Sequence, residues 1–180
     1  MTIAERSTYS QIAIWLHWII AILIIANIGL AELTEDLSRE ARGPYMDVHK
    51  AFGITVLFLS LGRLVWRLGH KPPALPSGMP GWQVAASKTS HFLFYLLMIG
   101  LPLGGWLWMS TYPAPISYFG LFEVPVLPVE GNKALGESLH EGHKLGGKIM
   151  LALIVVHLAA VAKHQFLDKD NLFRRMWPGG

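Results

Sequence analysis

Four stretches of this chain stay apolar for about the length a bilayer demands, and the segments between them carry charge, proline or both. The apolar stretches predict helices over about 12–31, 49–67, 91–110 and 143–164. At about 1.5 Å per residue, twenty helical residues cross roughly 30 Å of hydrocarbon. The polar residues that interrupt these stretches are unusually often histidine: His17 in the first, His49 and His91 at the starts of the second and third, and both His143 and His157 in the fourth. The pattern predicts an all-α membrane protein, a four-transmembrane-helix bundle forming a single domain over 1–180. The first stretch is too long for the core of a secretory signal. Glu5 stands beside Arg6 ahead of it and a histidine lies within it, so it reads as a retained helix.

The connections refine this picture. Pro72, Pro73, Pro76, Gly78, Pro80 and Gly81 predict a non-helical strap between the second and third helices, with Trp82 as an interface anchor. The third connection is apolar and proline-rich, with Tyr112, Pro113, Pro115, Tyr118, Phe119, Phe122, Pro125 and Pro128. Its prolines argue against a fifth span and for a segment lying on the membrane surface, with room for a short helix.

Charge sets the expected orientation. The segment from Arg63 to Lys88 holds four basic residues and no acid, and the tail from Lys163 is net +2. The segment from Glu32 to Lys50 is net −2, and that from Thr111 to Gly142 is net −3. Lys and Arg favour the cytoplasmic side, so both termini and the central strap are expected in the cytoplasm. This is the arrangement expected of a multi-pass inner-membrane protein. The overall pI near 9.3 then reflects the inner face and does not call for nucleic acid. The chain has no cysteine, which excludes disulfides, thiolate-held iron–sulfur clusters and covalently attached haem.

The histidines carry the chemistry. His143 and His157 are fourteen residues apart, which on a helix is a rise of about 21 Å and a return nearly to the same face. With alternating helix directions, His49 shares the outer depth with His143, and His17 shares the inner depth with His157. Two levels about 21 Å apart cannot serve one metal ion. Two imidazoles per level, without carboxylates, suit a six-coordinate haem iron better than zinc. Small residues stand one turn from each candidate ligand: Ala13 and Ala21 around His17, Gly53 after His49, Gly146 and Gly147 after His143, Ala160 after His157. They leave room for a flat cofactor or for close helix packing. His140, one turn before His143, competes with it for the ligand role.

Other polar groups fall near these levels. Arg63 is fourteen residues after His49, at the inner level, where it would pair with a haem propionate or anchor the helix. Arg67, a turn further on, reads as an anchor. His91 is placed to bond a propionate or a quinone, or to sit at the interface. Lys50, Lys144 and Lys148 cluster beside the outer ligands, and His70 and His164 are expected to be solvated at the inner surface.

These residues together resemble the bacterial cytochrome b561 family. The matching pieces are Leu16-His17-Trp18, then His49-Lys50-Ala51-Phe52-Gly53 leading to Arg63 and Arg67, and Phe119-Gly120-Leu121 followed by Pro125. They continue with His143 and His157, and with Lys169-Asp170-Asn171 through Arg175-Met176 and Pro178. The resemblance covers nearly the whole chain. It implies two non-covalent haem b groups with bis-histidine ligation, His17 with His157 and His49 with His143, and Arg63 and His91 as further cofactor-binding residues. The implied function is one-electron transfer between a donor on the periplasmic side and the membrane quinone pool. Superoxide:ubiquinone oxidoreduction, with superoxide as the outer substrate, is one alternative within the family. A haem-bearing membrane anchor for a larger dehydrogenase or hydrogenase complex, with a soluble redox partner, is another. A haem-free transporter or sensor that moves protons through membrane histidines is the alternative from a different class.

Overall fold

The computed structural model describes residues 8–76, 78–112 and 114–179. Glu5, Arg6 and Pro113, used in reading the sequence, lie outside them. Four long helices dominate: α1 Gln11–Leu33, α2 Arg39–Gly69, α3 Gly81–Met109 and α4 Lys133–Ala162. Each is long and apolar enough to cross a membrane. After α4 the chain makes one π-helical turn, Lys163–Asp168, and later a short 3-10 turn, Phe173–Met176.

Three helices start about ten residues earlier than the apolar stretches do, because hydropathy marks where a chain enters hydrocarbon whereas caps mark where a helix begins. Ser38 Oγ accepts from the Ala41 N–H at 3.3 Å to open α2, and Asn132 Oδ1 accepts from Leu135 N–H at 3.1 Å to open α4. Ser10 caps α1 in the same way. Such caps contribute about 1 kcal/mol each. α3 begins directly after Pro80, so Gly81, Trp82 and Lys88 belong to the helix and not to the strap. His49, His91 and His143, expected at helix starts, instead lie ten residues inside α2, α3 and α4. Their relative register is unchanged.

The third connection forms a hairpin where a short helix had room, with β1 Ile116–Tyr118 antiparallel to β2 Phe122–Val124. Phe119 and Gly120 both have positive φ, 52° and 75°, which closes the tight turn of the Phe119-Gly120-Leu121 motif. A left-handed phenylalanine is uncommon. Its ring is held edge-on to Phe52 of α2 at 5.8 Å. The hairpin is further fixed by Tyr118 Oη and Thr55 Oγ1 at 3.1 Å, and by Trp106 Nε1 donating to the Pro125 carbonyl at 2.8 Å. Ile116 and Val124 bury themselves against Ile54 of α2.

Backbones come close between α1 and α2, between α2 and α3, and between α3 and α4. α4 is not brought into comparable backbone contact with α1 or α2. The buried core is correspondingly narrow, centred on Ile20, Met98 and Met150. Large apolar side chains such as Ile22, Phe58, Phe92 and Val156 point outward, as lipid-facing helices require. Pro102 lies within α3, where it removes one backbone donor, a substitution transmembrane helices tolerate. The tail folds back on α1: Trp18 Nε1 donates to the Met176 carbonyl at 2.8 Å, and the Trp18 and Trp177 rings meet edge to face.

Candidate functional site

The helix register brings the four histidines together in two pairs. His17 of α1 faces His157 of α4, with ring centroids 6.4 Å apart and planes at 65°. His49 of α2 faces His143 of α4, with centroids 6.1 Å apart and planes at 69°. Both pairs join α4 to a helix whose backbone it does not closely approach. His140 does not share in this. Its ring stacks on Trp108 at 4.4 Å, its side chain is 43% exposed, and Glu141 lies beside it. Trp108 thus holds His140 away from the His49–His143 pair.

Each pair has its own surroundings. His49 Nδ1 lies 3.1 Å from the Asn27 carbonyl of α1, an acceptor that fixes the ring and leaves Nε2 toward His143. His143 Nδ1 is buried with no partner in hydrogen-bond geometry; the Leu101 carbonyl is the backbone acceptor on that side. The His143 ring lies directly over Gly105 of α3, where a Cβ would come within 3.1 Å of Cε1. Around the His17–His157 pair, Phe94 packs edge-on to His157 at 5.4 Å, and Trp18 packs edge-on to His17 at 5.6 Å. Aromatic walls of this kind exclude water from the imidazoles.

The small residues divide by role. A Cβ at Gly146 would strike Leu101 Cδ2 at 2.5 Å, so this glycine serves the α3–α4 contact. At Gly53 and Gly147 a Cβ would meet nothing within 4 Å, which leaves the flanks of His49 and His143 uncrowded.

Arg63 donates from Nη1 to the Ala13 carbonyl at 2.6 Å, one turn before His17, and so lies near the level of the His17–His157 pair. His91 of α3 has Arg67, His157 and Arg63 as charged or titratable neighbours, at the level of the same pair. Of the surface histidines, His70 is exposed and stacks on Trp66 at 3.7 Å. His164 departs from expectation. It is largely buried and its Nδ1 donates to Asp170 at 2.6 Å, because the π-helical turn and the left-handed Lys169 fold Asp170 back onto it. Lys50 is paired with Asp47 at 2.7 Å, whereas Lys144 and Lys148 are exposed and form no ion pair among the described residues.

Sequence reading missed Gly105, Asn27 and Trp108. The Gly104-Gly105 pair in an apolar helix was a visible signal of close approach, though not of what approaches. Asn27 acts through its backbone carbonyl, which leaves no signal in residue type.

The family described as prokaryotic cytochrome b561 matches residues 8–179. Cytochrome b561 homolog 2 of Escherichia coli K12 is 30% identical over 173 residues, covering 93% of this chain and 90% of the relative. Cytochrome b561 homolog 1 of the same organism is 28% identical, covering 94% of this chain and 97% of the relative. A probable superoxide oxidase, CybB of Yersinia pestis, is 29% identical, covering 94% of this chain and 96% of the relative. With its four spanning helices and a match over almost its full length, the chain belongs to the prokaryotic cytochrome b561 family, the b-type-haem electron-transfer proteins of the bacterial inner membrane.

Proposed function

We propose that this protein holds two b-type haems, one at each histidine pair, and carries single electrons between a periplasmic-side donor and the quinone pool. The observation that carries the reading is the spacing within both pairs. Two imidazoles that would each offer one nitrogen, at about 2 Å, to a shared iron would stand with their centroids roughly 6.3 Å apart. The pairs measure 6.4 and 6.1 Å. The donor set, two neutral imidazoles with no carboxylate or thiolate, suits the same group.

His17 and His157 would hold the inner haem, and His49 and His143 the outer. When bound, the haem supplies reversible one-electron redox chemistry, and the protein supplies ligation and surroundings. The Asn27 carbonyl orients His49 through Nδ1. Phe94 and Trp18 keep water from the inner imidazoles. Arg63 and His91 offer positive charge or hydrogen bonds at the inner level, for propionates or for a quinone head group. Dithionite-reduced protein should show a b-type absorption band that fades when ubiquinone is added. Absence of the band, or a band that ubiquinone leaves unchanged, would overturn the proposal.

The sidedness belongs to the same reading. Both termini are cytoplasmic in it, supported by the basic strap and tail against the two acidic segments. A fluorescent-protein fusion at the C-terminus should therefore be bright and an alkaline phosphatase fusion silent. The opposite result would exchange the inner and outer assignments.

Superoxide as the outer substrate is a second reading, supported by the resemblance to the probable superoxide oxidase and by the exposed Lys144 and Lys148 near His143. An anion approaching across acidic segments depends on such local positive charge. If superoxide is the substrate, Lys144→Glu with Lys148→Glu should slow reduction of the protein by superoxide about ten-fold at low salt, and less at high salt. Equal rates for parent and variant in stopped-flow mixing would exclude this reading and leave a protein donor as the outer partner.

A further inference from the structure

A second polar site lies at the basic end of the bundle, between the start of α1, the end of α2, the strap and the middle of α3. Its lining includes Tyr9, Arg63, Arg67, His70, Lys71 and Tyr95. Three of these are permanent cations and no acid is among them. The nearby acids of the tail are already engaged: Asp168 by Lys163 at 2.5 Å, and Asp170 by His164 at 2.6 Å. Among the described residues, Arg63, Arg67 and Lys71 form no ion pair with a carboxylate. Arg67 and Lys71, uncompensated beside Arg63 around one concavity, create a local field that calls for an anion.

The pocket is built, and not merely charged. Trp66 Nε1 donates to Ser10 Oγ at 2.9 Å, tying α2 to the cap of α1. The same indole stacks on the His70 ring with planes 8° apart, which pins the end of α2. The Arg67 guanidinium stands 6.0 Å from the centroid of the Tyr95 ring, a cation–π distance that holds its direction. The Tyr95 hydroxyl is buried without a partner in hydrogen-bond geometry, with Arg63 as the neighbouring donor. An anionic oxygen in the pocket would accept from that hydroxyl as well as from the cations.

The position selects the anion. The pocket lies where α2 leaves the apolar region, beside Trp66 and below the proline strap, at the depth where lipid phosphates lie. Exposed apolar side chains of α2 run from this end toward the bilayer centre, including Val65 at 69% and Phe58 at 63% exposure. A ligand with an anionic head and an acyl tail matches both surfaces. Basic pockets between helix ends on the cytoplasmic side bind anionic headgroups in this way. We infer that this pocket is a specific site for the headgroup phosphate of an anionic phospholipid, held by Arg67, Lys71 and Tyr95. The inference rests on the membrane location of the chain and on the sidedness proposed above, and not on the haem assignment.

The test uses haem-loaded protein stripped of lipid in a neutral detergent. Phosphatidylglycerol should raise its thermal midpoint by several degrees, and phosphatidylcholine and inorganic phosphate should not. Native mass spectrometry should show retained phosphatidylglycerol on the parent and at least ten-fold less on Arg67→Ala/Lys71→Ala. Haem content, read in the same samples, should be equal in parent and variant. Equal lipid retention by both would overturn the inference. Equal stabilisation by inorganic phosphate would overturn the lipid assignment. Loss of haem in the variant, with lipid retention unchanged, would assign these residues to the cofactor instead.

Discussion

The parent is expected to hold about two b-type haems per chain and a His157→Ala variant about one, as measured by pyridine haemochrome against protein concentration. His17→Ala should lose the same haem, and the double variant should lose no more than either alone. His49→Ala and His143→Ala should form a second such set, spectroscopically distinct from the first. The expectation follows from the pairing. An imidazole that faces its partner across 6.4 or 6.1 Å is not replaced by a histidine of the other pair, which is about four helical turns away. Where two imidazoles would hold a haem that is not covalently attached, loss of either would remove most of its affinity. A parent stoichiometry near one would break the two-site scheme. If His140→Ala removed the outer haem and His143→Ala did not, the ligand would lie one turn earlier, and the Trp108 stacking of His140 would have to rearrange.

What the sequence made legible is what periodicity can carry. Fourteen residues is nearly a whole number of helical turns, so His143 and His157 had to share a face of α4, and alternating helix directions then selected their partners. Helix ends were less legible. Residues 39–48 and 133–142 are too polar to register as membrane-spanning, yet they are helical because Ser38 and Asn132 cap them. The hairpin at 116–124 was hidden because its two strands have only three residues each, shorter than any period can reveal. His164 read as solvated because nothing in its own neighbourhood announces the left-handed Lys169 that returns Asp170 to it.

Gly105 shows the same limit at the candidate site and carries the sharpest structural prediction. It has a neighbour, Gly104, of identical type on the same helix, and residue type alone cannot tell them apart. Their surroundings differ. A Cβ at Gly105 would lie 3.1 Å from His143 Cε1 and 3.4 Å from Nδ1, whereas a Cβ at Gly104 would meet nothing within 4 Å. The His143 ring has little room to yield, since Trp108 lies 6.2 Å away and His49 faces it from α2. Gly105→Val, which adds two further carbons beyond the Cβ, should therefore turn His143 away from His49. About one haem per chain should be lost, the outer one, with helical content by circular dichroism unchanged. Gly104→Val makes the same chemical change one residue away and should keep both haems. Helix propensity cannot produce such a difference, because replacing glycine in a helix interior by a residue with a side chain is favourable on that scale at either position. If the two variants retain equal haem, the close approach of α3 to His143 is not what positions the outer ligand, and the α4 register alone must do so.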